Sequence, residues 1–433
     1  MPDTRETFAS RFGVLATMIG VAVGLGNVWR FPYMVGQFGG AIFVGFYVLV
    51  VAVVGIPALA AEWTLGRHTR RGTVGAFAKA GLPFGKPIGW FFFAVVMAAT
   101  AYYTAVIGWV VFHALGSAAA LLDVPFDAAA ILPPSDGFAG RSFLLQAIFT
   151  GLVLVACVVV LLRGLRSGIE ATSKFITPAL FAVLIVLIVR ALTLPGAGEG
   201  VRWYLFNVKA GSFGPAVALA AMGQAVFSLA LGGTFMVVYG SYLGERENLR
   251  LNATLTAIGD TAAGLLAGLA IIPAVFALGG QPGSGPRLIF ETLPAVFDRM
   301  PAGALFGFLF FASLAGVAYL SAVAALEVLV AGLTDNTRLS RRRAVWLTAG
   351  AVFLFSLPPT VNLRVFVPWD LTFGSGMQTL GALVAVVTVG WALARADAIR
   401  ELGERRLYLW IRYVIPWAII SVGVWWVVTE LSS

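Results

Sequence analysis

Thiols and imidazoles are almost missing. One cysteine, Cys157, and two histidines, His68 and His113, in 433 residues exclude a disulfide framework and a multi-thiolate metal site. They also leave little for zinc or haem chemistry. Charge is scarce: 11% of residues are Asp, Glu, Lys or Arg, against about a quarter in soluble domains. No apolar run carries an HExxH motif, a Ser/His pair or a carboxylate dyad, which argues against an intramembrane enzyme. What fills the chain instead is hydrocarbon, with 60% hydrophobic residues. A globule of this size cannot hide that much apolar side chain from water, so the excess faces lipid.

A helix needs about 20 mostly apolar residues to cross a bilayer. Eleven stretches read that way: roughly Phe12–Val35, Ala41–Gly66, Ile88–Leu115, Ser142–Leu162, Phe175–Leu194, Phe213–Tyr239, Leu251–Gly279, Ala302–Ala331, Ala344–Leu357, Val365–Ala394 and Leu407–Thr429. The runs are continuous rather than alternating, which predicts helices and not barrel strands. The fold class is therefore an all-α polytopic membrane protein, one domain over residues 1–433. The first run is too long for a cleavable signal peptide and holds Asn27 and Arg30.

Basic residues set the orientation. With the N-terminus in the cytoplasm, the inner side collects most of them, including Arg67, Arg70, Arg71, Arg163, Arg166, Arg338, Arg341, Arg342, Arg343, Arg405 and Arg406. The outer side keeps Arg141, Arg190, Arg202, Lys209, Arg287, Arg299 and Arg364. That asymmetry follows the positive-inside rule and accounts for the net charge of +9 without a nucleic-acid partner. An odd number of spans puts the C-terminus outside. Short termini favour a prokaryotic inner membrane. The longest loops, Gly116–Arg141, Pro195–Ser212 and Gly280–Pro301, fall outside and suit lids or caps. The inner loop holds Val74–Ala80, a candidate surface helix.

Two spans carry helix breakers at mid-membrane. The first reads Gly20-Val-Ala-Val-Gly24-Leu-Gly26-Asn27-Val-Trp-Arg30-Phe-Pro32, and the sixth reads Gly223-Gln224-Ala-Val-Phe227-Ser228-Leu-Ala230-Leu-Gly232-Gly233-Thr234. Unwound backbone at that depth is tolerated only where it is buried in protein or lines a cavity. Its freed carbonyls suit a cation, and the N-terminus of the following half-helix suits an anion. The two breaks lie five spans apart, which points to an inverted repeat, about 11–194 and 213–394, with an extra helix at about 407–429. Ionisable groups inside the apolar runs are a second pointer. They are Arg30, Glu62, Asp260, Glu327 and Asp370. Glu62 and Glu327 lie toward inner ends, where pairing with loop arginines is the plainer reading.

The Gly20–Pro32 run resembles the signature of the neurotransmitter:sodium symporter family, in its bacterial amino-acid branch. The resemblance continues through Glu62-Trp63, Gly66-Arg67, Tyr102-Tyr103, Gly223-Gln224, Gly240-Ser241-Tyr242, Leu326-Glu327-Val328 and Asp370. It implies a five-plus-five inverted repeat with unwound helices 1 and 6, and sodium as coupling ion. One sodium set would use the carbonyl of Ala22 with Asn27, Ser228 and Asp260, completed by the substrate's carboxylate. A second would use carbonyls of Gly20, Val23 and Val317 with Ser321. There the neighbouring family hydroxyl or acid is replaced by Leu320, which leaves the second sodium uncertain.

By the same resemblance, the substrate would meet the backbone at Val23, Gly24 and Gly26 and the hydroxyl of Tyr103, under Phe227. Its side chain would lie among Val21, Ala99, Ala230, Gly233 and Ala325, with Ser228 and Ser321 at the ion end. Several of these are small, which implies a bulky hydrophobic or aromatic amino acid. The Asp260 carboxylate implies chloride independence. Arg30 with Asp370 would gate the outside, and Arg5 with Asp335 the inside, near Phe8, Ser241 and Tyr242. The reading is a sodium-coupled importer with an amino acid and the lipid bilayer as partners, and no obligate protein partner. The alternatives are a proton-coupled or sodium-independent amino-acid or amine transporter, and a non-transporting sensor or channel of the same fold.

Overall fold

The computed structural model describes residues 6–208, 214–280 and 288–432. They are helical throughout, with no strand among them. The chain runs α1 (Arg11–Ala22) and α2 (Gly26–Phe38), then α3 (Ala41–Thr69), α4 (Thr73–Lys79), α5 (Gly85–Leu121), α6 (Gly140–Leu162) and α7 (Leu165–Leu192). It continues with α8 (Ala197–Phe206), α9 (Pro215–Ser228), α10 (Phe235–Gly240), α11 (Leu249–Ala277) and α12 (Leu293–Asp298). The rest is α13 (Gly303–Asn336), α14 (Arg341–Ser356), α15 (Leu363–Ala392), α16 (Arg395–Leu402), α17 (Arg405–Tyr413) and α18 (Ile415–Ser432).

Among the described residues, seven continuous helices are long and apolar enough to cross a bilayer, and the bent pair α1–α2 makes an eighth. The other three expected runs are helical but shorter, each for a local reason. The sixth is cut between Ser228 and Phe235. The ninth is the 16-residue α14. The last is divided at Val414, two residues before Pro416. A proline ring lacks the N–H and crowds the carbonyl four residues back. Here the Arg412 carbonyl instead accepts the indole N–H of Trp391 at 3.2 Å.

The two longest helices, α5 with 37 residues and α13 with 34, lie along each other as the central pair. In their most apolar stretches 83% and 78% of residues are buried, against 28% in α7. The first two are scaffold and the third is a lipid-facing wall. Exposed Leu144, Leu152, Phe175, Val189, Leu354 and Trp417 continue that apolar outer surface. The α1–α2 pair packs against α7, α11 and α13, so its break sits inside the bundle.

The basic loops gather at one end. Arg67 donates to the carbonyls of Glu247 and Glu401, Arg70 to that of Leu243, Arg71 to that of Asp335, and Arg341 to that of Leu161. At the other end the Asn362 amide donates to Gly137 and that of Gln146 to Thr360. The long loops of this second end carry the short helices α8 and α12 and a 3-10 turn at Ala128–Ile131. The helix expected at Val74–Ala80 is α4, one residue earlier than anticipated, and it is packed in rather than lying on the surface, with Thr73, Val74, Ala76 and Phe77 buried.

Candidate functional site

The α1 helix ends where Val23 turns to extended backbone (φ −69°, ψ 125°), and the chain re-enters helix at Gly26 with a 54° bend. Side chains hold that shape. The Asn27 Oδ1 accepts from the Gly24 amide at 3.1 Å, and the Leu25 amide donates to the Tyr103 hydroxyl at 3.4 Å. Gln224 donates to the Gly26 carbonyl at 2.9 Å. Two glycines let neighbouring side chains come close to the break. A β-carbon on Gly24 would stand 2.7 Å from the Tyr103 hydroxyl and 2.8 Å from that of Ser321, and one on Gly26 would stand 2.8 Å from the Phe227 ring.

The second break, between Ser228 and Phe235, turns through left-handed backbone at Ala230 (φ 50°) and Gly233 (φ 67°). A β-carbon on Gly233 would also press to 2.6 Å from the Gly381 carbonyl. Glu62 fastens this strand of backbone: its Oε1 accepts from both the Gly232 and Gly233 amides at 2.9 Å. Pairing with a loop arginine, expected for Glu62, is replaced by these bonds because exposed peptide N–H groups at that depth need an acceptor. Glu327 does pair as expected, with Arg341 at 2.6 Å, and also accepts from the Tyr242 hydroxyl at 2.5 Å.

Between the breaks lies a buried polar knot. Asp260 on α11 is fully buried. Its Oδ1 accepts from the Asn27 amide at 2.8 Å, and its Oδ2 accepts from Ser228 at 2.7 Å and from Tyr47 at 3.4 Å. Asn27 donates further to the Ser228 hydroxyl and the Asp260 carbonyl, both at 2.9 Å. Asn27, Ser228 and Asp260, three of the four expected members of the first sodium set, are therefore joined by direct bonds. Their oxygens suit a hard cation, which favours carboxylate, hydroxyl and carbonyl ligands. A half-turn of the Asn27 amide would present its oxygen to the same spot. Tyr47 was not read from the sequence. A lone tyrosine in an apolar run, whose hydroxyl must find a partner when buried, was the available signal.

Beside the knot is a small cavity. Its walls include the expected Val21, Gly24, Gly26, Ala99, Tyr103, Phe227, Ala230, Ser321 and Ala325, and also Ala22. Thr100, Tyr102, Phe235 and Gln378 line it as well and were not anticipated. Three expected residues lie off the walls. Ser228 is spent on the knot, the Gly233 amide is held by Glu62, and the Val23 carbonyl faces Ser321 at 3.3 Å. The second expected cation set is gathered there too. Ser321 Oγ stands 3.4 Å from the Val317 carbonyl and 3.5 Å from that of Val21, and Leu320 packs on Gly20.

Arg30 places its guanidinium 4.7 Å from the centre of the Phe227 ring. Asp370 is hydrogen-bonded to the Tyr102 hydroxyl and lies within the field of Arg30. At the basic end Phe8 meets Tyr242 edge-on, with ring centres 6.5 Å apart. The Asp335 carboxylate accepts from the Gly72 amide at 2.7 Å. Its expected partner, Arg5, lies outside the described residues.

A chain that wraps two broken helices around a buried carboxylate and a cavity is built to carry a solute across the bilayer. It belongs to the sodium:neurotransmitter symporter family, whose model matches residues 5–127 and 144–432. It is 32% identical to YhdH, an uncharacterized sodium-dependent transporter of Bacillus subtilis, over 96% of each chain. The crystal structure of MhsT in complex with L-phenylalanine matches with a TM-score of 0.84 at 33% identity, covering 97% of this chain and 99% of MhsT. The human sodium- and chloride-dependent creatine transporter 1 is 27% identical over 89% of this chain and 70% of its own length. The protein is thus a multi-pass membrane transporter of a sodium-using family and not an enzyme.

Proposed function

We propose that the protein imports an amino acid with a bulky apolar or aromatic side chain, driven by sodium and independent of chloride. The observation that carries this reading is the bonded set Asp260, Asn27 and Ser228 against the broken α1–α2 pair. Sodium would sit among these oxygens and the Ala22 carbonyl. The substrate's carboxylate would complete the set, facing the Gly24 and Gly26 backbone and the Tyr103 hydroxyl. Shared ligation makes each binder raise the other's affinity, and such coupling is reciprocal. The small Ala99, Ala230 and Ala325 leave room for a large side chain, in keeping with the phenylalanine held by MhsT.

The charge of Asp260 supports chloride independence. A fixed carboxylate beside the cation supplies the negative charge that a bound anion otherwise brings. Arg30 with Phe227 and Asp370 would close the outer route, and Phe8, Tyr242 and Asp335 the inner one. The basic end would face the cytoplasm, by the positive-inside rule, in the inner membrane of a prokaryotic cell. The two halves, about 11–194 and 213–394, would rock about the site.

Reconstituted protein given an inward sodium gradient should accumulate radiolabelled phenylalanine or tryptophan, and should do so equally when gluconate replaces chloride. Loss of uptake in gluconate rejects chloride independence. Stronger competition by glycine or alanine than by leucine or tryptophan rejects the assigned substrate class. Uptake that ignores sodium rejects the coupling ion.

A further inference from the structure

We infer that this chain couples its solute to a single sodium ion, because Leu320 closes the second cation set. The inference rests on the reading that the Asp260 set binds sodium. Around the end of α1, the second set offers the carbonyls of Gly20, Val23 and Val317 and one side-chain oxygen, that of Ser321. The resemblance expects another hydroxyl or an acid at position 320, and a leucine stands there instead. The structure shows where that hydrocarbon goes. Leu320 is 3% exposed, and its Cδ1 lies 2.8 Å from the point a Gly20 β-carbon would occupy. One methyl of its side chain therefore sits against Gly20.

Two other hydroxyls stand near Gly20, both on α7 and outside the expected set. That of Thr177 is 2.7 Å from the same point and is tied to α1 by donating its hydrogen to the Ala16 carbonyl at 3.0 Å. That of Ser173 is 3.8 Å away. Ser321 lies 3.3 to 3.5 Å from the carbonyls of Val23, Val317 and Val21, so its one hydroxyl hydrogen is shared among backbone acceptors. A cation leaving water must regain its oxygen shell from the protein, and an ion buried without that compensation is strongly disfavoured. The Asp260 set supplies a full negative charge with hydroxyl and amide partners. The Leu320 set supplies no charge, and a methyl group presses where an oxygen is needed. The two sets are therefore unequal, and the residues present at the second do not fit sodium.

Equilibrium binding of radioactive sodium to the purified full-length protein, with tryptophan present, tests this. About one sodium per chain is expected. A companion flux measurement at zero membrane potential should stall at about tenfold solute accumulation for a tenfold sodium gradient, since each factor of ten in the gradient offsets one factor of ten in the solute per ion coupled. Two sodium ions per chain, or accumulation approaching a hundredfold, overturns the inference and leaves the sodium-coupled reading intact. No bound sodium rejects that reading and this inference with it. Leu320→Thr should raise the count to about two, with Leu320→Ser as the second variant should the first fail to fold. A folded Thr or Ser variant that still binds one sodium shows that Leu320 is not what closes the set.

Discussion

A carboxylate with no exposed surface, such as Asp260, survives among helices only if its charge is matched. Here Asn27, Ser228 and Tyr47 all aim hydrogens at it. A sodium ion among the same atoms gains that charge directly. At an effective dielectric near 20, a unit charge about 4 Å away is worth about 4 kcal/mol, and even half of that exceeds a tenfold change in affinity. Asp260→Asn keeps the shape and removes the charge. Sodium should then be needed at more than about tenfold higher concentration to protect the protein from thermal unfolding, and uptake should acquire a requirement for chloride. An unchanged sodium titration would remove Asp260 from the ion set. Much of this site was legible in the chain, because a charged residue inside an apolar run is costly and hence conspicuous. Thr100 and Gln378 were not. Nothing in their local sequence separates a cavity-facing polar side chain from one that bonds its own helix, as Thr100 does to the Val96 carbonyl at 2.7 Å.

At the scale of elements, the broken sixth helix depends on a residue from another one. The Gly232 and Gly233 amides have left the helical ladder, and Glu62 on α3 accepts both. A buried amide stripped of its acceptor costs about 1–3 kcal/mol. Glu62→Ala should therefore lower the melting temperature in detergent by several degrees and abolish substrate binding, while Glu62→Gln, which keeps one acceptor oxygen, should recover part of both. A Glu62→Ala protein that melts and binds like wild type would show that the break holds its shape without this anchor. The helices themselves were readable from continuous apolar runs, and the two breaks from Gly20–Gly26 and Gly232-Gly233. The short helices of the long loops escaped that reading. Ala197–Phe206 and Leu293–Asp298 are too brief to show a period and are fixed by the helices they pack against, α8 on α11 and α12 on α13. The division of the last run was foreshadowed by Pro416, which a hydropathy scan treats as one more residue.

For the whole molecule the question is what ties the helices together at each end of the bundle. At the loop-rich end, Phe290 meets Trp29 and Trp109 edge-on and His113 at a tilt, with ring centres 5.0 to 6.0 Å apart. At the basic end, α13, α14 and the turn after α10 are bound through one carboxylate, since Glu327 takes hydrogens from both Tyr242 and Arg341. Glu327 is 1% exposed while the Arg341 side chain is 37% exposed, so losing Arg341 leaves a buried carboxylate uncompensated at less than the about 3–5 kcal/mol of a fully buried pair, water at the arginine's place screening part of the charge. Opening the basic end to water relieves that penalty, so the loss of Arg341 should shift the equilibrium between the two conformations toward the open one. Glu327→Gln removes charge and counter-charge contact together and should shift it less. Because Cys157 is the single native cysteine, a Cys157→Ser background permits a clean readout. Ser241→Cys, at a position with no exposed surface, should react with a membrane-impermeant maleimide from the cytoplasmic side in the order Arg341→Ala fastest, Glu327→Gln next and the unaltered pair slowest. The first step should be about tenfold or more. Asp136→Cys, in a loop proposed to lie outside, should react only from the opposite side. Equal rates across the three proteins would reduce the Glu327–Arg341 pair to a passive strut, and labelling of the two positions from exchanged faces would overturn the proposed orientation.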